Sequence, residues 1–310
     1  MHYYHAFGLR IASEIELPEL HPGSGPADIH IHFRSTPQQN IVDPERWFSV
    51  NDDSVWLKMG GIAFLVEGGR TIRVEALPET PVADVRVWLL GTVMAALLHQ
   101  RGYLPIHANV IANGEASAAA FAGDSGAGKS TLAAWFEGRD YRVLADDLCV
   151  IRIGSDDKPQ LFEGIPRLKL WAEALEALGR GTKGLEQVFS ETDKYHVPMR
   201  RSRELGSLEP LDLERIYLLD RAAEGDALAI ERLTGAEAAR GILANAYRWE
   251  MGQEIQEPRA QFDQCLALAR HCAVFRIARR WGMEWFGEDA EAIERHMKTP
   301  LAGLPKAKRT

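Results

Sequence analysis

Cysteine is scarce in this chain. Cys149, Cys265 and Cys272 are spread through 310 positions, an odd number with no paired metal-ligand spacing. That excludes a disulfide scaffold and a zinc ribbon, and points to reduced thiols in a cytoplasmic protein. Surplus positive charge is missing as well. The formal net charge is -8, and apart from the C-terminal "PKAKRT" the Lys and Arg residues are scattered, so no nucleic-acid footprint is expected. No long uncharged apolar run occurs. The most apolar segment, Val85 to Leu98, carries Arg86 and reads as a buried helix too short to cross a bilayer. The opening "MHYYHAFGLRIASEIELPEL" has polar residues every few positions, unlike a signal peptide, so no membrane partner is expected. There is no internal repeat and no low-complexity tract. The guanine-reading N-K-x-D motif and the LSGGQ-like signature are also absent, which disfavours a GTP switch and a transporter motor.

What is present divides into two parts. With 46% hydrophobic residues the chain can bury a core without staples. From Tyr3 to Val74, short alternating runs such as "DIHIHF", "SVWLKM" and "TIRVEA" are separated by "HPGSGP", "NDD" and "EGGR", the pattern of a small antiparallel sheet. Residues 1–80 are therefore expected to form a β-rich module. A helix over 84–101, closed by Gly102, is expected to connect it to a second domain spanning 81–298, with 299–310 as a loose tail. Downstream, "KLWAEALEALGRG" reads as a helix, and Thr234 with Glu237 reads as a capping box. Trp171, Trp281 and Trp285 are read as core rather than as binding platforms.

The most informative stretch is "AFAGDSGAGKSTLAAW". Gly123, Gly128, Lys129 and Ser130 fit G-x-x-x-x-G-K-[ST], between a predicted strand and a predicted helix, which is the context a phosphate-binding loop requires. The loop residues Gly123, Asp124, Ser125, Gly126, Ala127, Gly128, Lys129, Ser130 and Thr131 are the candidate nucleotide cradle. Glycines let successive backbone N–H groups turn inward on a polyphosphate, and the helix that follows adds its positive end. Lys129 is expected to reach the β- and γ-phosphates of ATP, with the Ser130 hydroxyl on Mg²⁺.

Such a loop needs a carboxylate at the end of a neighbouring strand, and "YRVLADD" supplies Asp146 and Asp147. Two adjacent carboxylates can divide metal binding from proton abstraction, provided the strand ends or bends there; otherwise one of them is merely capping or solvated. His107, in an apolar strand, fits a satisfied core residue as well as a site residue. Lys194, Arg167 and Lys169 either face a phosphate or peptide, or simply flank the apolar Leu168 and Leu170.

These residues resemble the HPr kinase family, bacterial serine kinases built on a P-loop fold. "FAGDSGAGKS" is similar to its phosphate loop, "VLADDLCVI" to its aspartate strand, "IHANVIANG" to its histidine segment and "VPMRRSR" to its V-P-V-R-P-G-R stretch. The resemblance covers Pro105 to about Arg203. It implies an α/β fold with a P-loop nucleotide-binding domain behind the small β module, in which Asp146 takes the proton of a substrate serine. Asp147 and Ser130 would hold Mg²⁺, His107 would lie beside the acceptor hydroxyl, and Arg200, with Arg203, would neutralise the transferred phosphoryl group; a solvated basic loop is the competing reading of "RRSR".

Two departures narrow what the resemblance implies. Thr131 stands where the family members that also remove phosphate carry an acidic residue, and "FEGIPRLKLW" replaces the E-I-R-G-L-G-I signature. Phosphorylase activity, the oligomer type and HPr itself as substrate are therefore not carried over, which leaves a homo-oligomer open. The N-terminal "YHAFGLRIASEIELPEL" is similar instead to shorter HPr-kinase-like proteins found with ribosomal-peptide gene clusters, lasso-peptide clusters among them. Their implied activity is serine phosphorylation of a precursor peptide. The expectation is thus an ATP- and Mg²⁺-dependent kinase acting on a serine of a peptide or small protein. The alternatives are a small-metabolite kinase on the same loop and a nucleotide-gated peptide-binding protein without useful transfer.

Overall fold

Ile29 and Ile31 are fully buried while His30 and His32 point to the other side, the period-two pattern of a strand with one covered face. The same alternation recurs through the N-terminal part. In the computed structural model, which describes residues 1–36, 46–165, 167–189, 192–199 and 208–304, these strands join one sheet of eight. Their order is His21–Pro22, His2–Ala6, Leu9–Ser13, Ile29–Phe33, Thr71–Glu75, Ile62–Glu67, Ser54–Met59, Phe48–Asn51. An antiparallel sheet is the expectation, but the observed one is mixed: Ile29–Phe33 runs parallel to both neighbours. It enters the sheet from a long crossing segment, and only tight turns force neighbouring strands to be antiparallel.

The inner face of this sheet is covered by one helical run, Val82–Gln100. It is α-helical over Val82–Trp88, π-helical over Leu89–Val93 and α-helical again over Met94–Gln100. It stops as expected at Gly102, which takes φ +72°, while the N–H of Tyr103 returns to the Leu98 carbonyl at 3.0 Å. With 19 residues and a mean hydropathy of 1.5 it is long and apolar enough to span a bilayer, which corrects the reading of a segment too short to do so. Yet 67% of its most apolar window is buried inside the protein. Val85, Leu89, Val93 and Met94 share one core with Ile31, Phe64 and Val74 of the sheet and with Leu148, Val150 and Ile165 from the rest of the chain.

A second sheet carries the middle of the molecule. Its order is Val143–Ala145, Ala108–Ala112, Ser117–Ala122, Asp212–Arg221, Ala273–Arg279, Ala229–Leu233. Ser117–Ala122, Asp212–Arg221 and Ala273–Arg279 are parallel, and the flanking strands are antiparallel. Helices Gly235–Leu243 and Ala260–His271 pack on one face, and Lys129–Glu137 and Met283–Lys298 on the other. The fold is therefore mixed α/β, with a β-rich N-terminal part. Burial of the central strands on both faces explains their near-continuous apolar sequences, such as "SAAAFA".

Two local expectations fail. "RLKLW", whose last three residues are expected to open a helix, is a strand, Arg167–Trp171; the helix begins only at Ala172. Strict alternation buries Leu168 and Leu170 and turns Arg167, Lys169 and Trp171 to the opposite side. The capping box does not form either. Thr234 makes no side-chain capping bond, and Glu237 instead accepts from Arg276 at 3.1 Å. Of the tail, Leu301–Gly303 forms one short helical turn, and 305–310 lie outside the described residues.

Candidate functional site

The glycine loop leaves the carboxyl end of Ser117–Ala122, at the parallel centre of the second sheet, where ligands of open α/β sheets bind. Two of its glycines are required by what surrounds them. A Cβ at Gly123 would stand 2.8 Å from the Leu219 carbonyl oxygen, and one at Gly128, already at φ +77°, would collide with the Arg279 guanidinium. Lys129 opens the following helix, and its buried side chain folds back over the loop. Nζ donates to the carbonyls of Gly123 at 2.7 Å and Asp124 at 3.0 Å. Burial holds its pKa below the ordinary lysine value, against the pull of Asp147 and Asp146.

The aspartate pair sits where the strand Val143–Ala145 ends. Asp147 adopts φ +67°, and the Leu148 N–H reaches back to the Asp146 carbonyl at 2.8 Å. This reversal turns both carboxylates towards one place, the condition the sequence imposes on a shared site. The structure joins Ser130 to Asp146, with Oγ donating to Oδ1 at 3.0 Å, whereas the resemblance pairs Ser130 with Asp147. The other oxygen of Asp146 accepts the Lys169 backbone N–H at 2.8 Å, and the Lys169 ammonium donates to Asp147 Oδ2 at 2.8 Å. One lysine therefore holds both carboxylates.

The electrostatics separate the pair. Burial, then the charge on Asp147, pushes the Asp146 carboxyl above the usual range. Burial also opposes ionisation of Asp147, but the Lys169 ammonium and its hydrogen bond outweigh that and hold its carboxyl well below the usual range. Lys169 is the converse: burial disfavours its charge, and Asp147 more than restores it.

His107 joins this group. Its Nδ1 lies 3.2 Å from the Asp147 carbonyl oxygen and 4.0 Å from the Asp147 carboxylate. Burial and the nearby Lys129 lower its pKa, leaving the ring neutral near pH 7. A carbonyl only accepts, so that ring carries its proton on Nδ1. Lys194 stands opposite Trp171 in the pairing of Arg167–Trp171 with Lys194–Pro198, its ammonium 5.7 Å from the indole. Arg200 and Arg203 lie outside the described residues.

A cleft of about 240 Å³ collects His107, Gly126, Gly128, Lys129, Ser130, Asp147, Lys169, Trp171 and Lys194. A second cavity, of about 250 Å³, adjoins it along the glycine loop and is walled by Trp171, Trp281, Met283 and Phe286. A third, of about 340 Å³, lies between the π-helical turn and the strand Arg167–Trp171. Trp171, Trp281 and Trp285 are not core: they are 52%, 49% and 43% exposed. Trp171 closes its strand, Trp281 lies two residues beyond the strand Ala273–Arg279, and Trp285 stands in the first turn of the helix Met283–Lys298, each with one face towards Lys194, Arg221 or Arg280. Arg279 is the site residue that sequence reasoning misses. It comes from the last strand of the sheet, and its guanidinium donates to the Ala127 carbonyl at 2.6 Å, bracing the loop from behind.

Among the described residues, no group of three or more His, Cys, Asp or Glu forms a metal cage. A catalytic Mg²⁺ does not need one, since it is usually held by one or two carboxylates with waters and substrate phosphates. The Ser130 hydroxyl beside the buried Asp146 carboxylate, crowded by a second negative charge, is a donor set of that kind. No protein family model and no curated protein matches the chain.

Proposed function

We propose that this protein is an ATP- and Mg²⁺-dependent kinase that transfers the γ-phosphate to a serine hydroxyl of a peptide or small protein, with residues 123–131 as its P-loop. The observation that carries this reading is the convergence of Lys129, Ser130 and Asp147 on one cleft, with the buried Asp146 behind them, joined to Ser130 by a 3.0 Å contact.

Each residue has a task that follows from its surroundings. The loop N–H groups and the start of the helix Lys129–Glu137 face an anion. Lys129 exchanges its two carbonyl partners for phosphate oxygens, which a flexible ammonium can do without moving the backbone. Ser130 and Asp146 would hold Mg²⁺, which when bound neutralises charge on the transferred group. The contacts favour this division over the one in which Asp146 is the base. Asp146 is only 6% exposed and already committed to Ser130, whereas Asp147 lines the cleft and faces His107. Asp147 is thus the carboxylate placed to orient the acceptor hydroxyl; because its ion pair with Lys169 makes it a weak base, it takes the proton only as the forming P–O bond acidifies the hydroxyl. Lys169 and Lys194 add positive charge where the phosphoryl group passes. The exposed faces of Trp171 and Trp281 offer a stacking surface for the nucleobase.

Incubation of the purified protein with Mg²⁺, γ-labelled ATP and serine-containing peptides tests the reading, with Lys129→Ala as control. Label on peptide serine, lost in Lys129→Ala, supports it. Bound ATP with no label on any peptide returns the chain to a metabolite kinase or a nucleotide-gated binding protein.

A further inference from the structure

The three cavities form a row. The central cleft shares Gly126, Gly128, Thr131 and Trp171 with the second cavity, and Asp147, Lys169, Trp171 and Lys194 with the third. The second and third have Trp171 alone in common. In-line transfer demands that the acceptor oxygen approach from the side opposite the leaving group. If the nucleotide lies along the glycine loop with its base in the second cavity, the acceptor enters from the third.

The third cavity is built unevenly. One end carries Asp147, Lys169 and Lys194, and the body is apolar: Val87, Trp88 and Gly91 from the helical run face Phe189 and Tyr247. The Trp88 and Phe189 rings meet at 5.7 Å. Gly91, in the π-helical turn, leaves the space: a Cβ there would stand 3.5 Å from the Tyr247 hydroxyl, and anything longer would project inward. At about 340 Å³ the chamber is near the lower end of small-ligand sites, roughly 300–1,000 Å³. It takes one or two residues of extended chain. Lys194 and the exposed Arg248 at its rim repel a basic neighbour.

We infer that this chamber is the acceptor site, and that it selects a peptide serine flanked by an aromatic or bulky apolar side chain, the hydroxyl at the Asp147 end and the apolar group against the paired rings of Trp88 and Phe189. The inference rests on the kinase reading above and adds the substrate class. It also gives the N-terminal part a role, because its core helix forms one wall.

The test uses the full chain, Mg²⁺, γ-labelled ATP and blocked hexapeptides Gly-Gly-X-Ser-Gly-Gly with X as Phe, Leu, Gly or Lys, alongside free serine. Phe and Leu peptides are expected to exceed the Gly peptide in kcat/KM by about tenfold or more, with Lys lowest. Gly91→Leu, which fills the chamber, is expected to raise KM for the Phe peptide about tenfold while the Kd for ATP, measured by calorimetry, stays put. Phe189→Ala, which empties one wall and carries less risk to folding, should level the preference for Phe over Gly. Equal rates on all four peptides sink the inference and leave the kinase reading intact, whereas free serine labelled as fast as the Phe peptide sinks both in favour of a metabolite kinase. Unaltered selectivity in both variants sinks the inference alone. Absence of label on every acceptor, with ATP bound, sinks both.

Discussion

Ser130 Oγ lies 3.0 Å from Asp146 Oδ1, while Asp147, the next residue, pairs its carboxylate with Lys169 and offers its carbonyl to His107. A pair that is indistinguishable in sequence is thus divided by one residue with φ +67°. Asp147→Asn is expected to lower kcat by about 10²–10⁴-fold with little change in ATP affinity, the usual contribution of a general base. Asp146→Asn is expected to shift the Mg²⁺ concentration for half-maximal rate upward by about tenfold or more, since one charged ligand is lost. Mg²⁺ titrations of both variants distinguish the two roles, and the reverse outcome restores the assignment implied by family resemblance.

The nucleobase surface makes a separate prediction. Trp281 is half exposed beside the loop, with Arg221 on its ring at 5.2 Å. Trp281→Ala is expected to weaken ATP by about 1–3 kcal/mol, the value of an aromatic–base stack, and to leave inorganic tripolyphosphate binding unchanged. Equal weakening of both ligands would mean that the substitution damages the loop instead.

His99 predicts a pH dependence of stability. It is 1% exposed on the helical run, with Nε2 donating to the Tyr247 carbonyl at 3.0 Å, and burial lowers its pKa from 6.5 to about 4. A depressed folded-state value means that the unfolded chain binds the proton first. The contribution is therefore complete above about 6.5 and is lost as pH falls towards 4. Urea unfolding is expected to weaken over that window by up to about 3 kcal/mol from this residue, and His99→Gln should flatten the slope.

Glu19 links three parts of the chain. It accepts from Arg86 Nε at 2.8 Å and Arg167 Nη1 at 3.0 Å, and its side chain is 7% exposed. Removing it takes the carboxylate partner from the largely buried Arg167 and leaves Arg86 only the longer 3.8 Å contact with the exposed Glu186. Glu19→Ala is expected to cost about 3–5 kcal/mol in thermal unfolding, and adding Arg167→Met should recover part of the loss.

What was legible in the sequence is local. The loop, the carboxylates at the end of a short strand and the helix closed by Gly102 all announce themselves within a dozen residues, because backbone conformation alone demands them. The misses are of three physical kinds. "KLWAEALEAL" satisfies a helical period over its length, but the two-residue alternation of "RLKLW" wins where a strand partner, Lys194–Pro198, is available. Ile29–Phe33 pairs in parallel because of a crossing whose path leaves no local mark. Arg279 reaches the loop from a strand far along the chain, and no spacing rule connects it with Ala127.

Trp171 borders all three cavities. A side chain shared in this way is a thermodynamic link: a base that tilts the indole reshapes the opposite chamber, and whatever factor the nucleotide imposes on acceptor affinity, the acceptor must return on nucleotide affinity. On the kinase reading, the coupling between the two ligands runs through one ring.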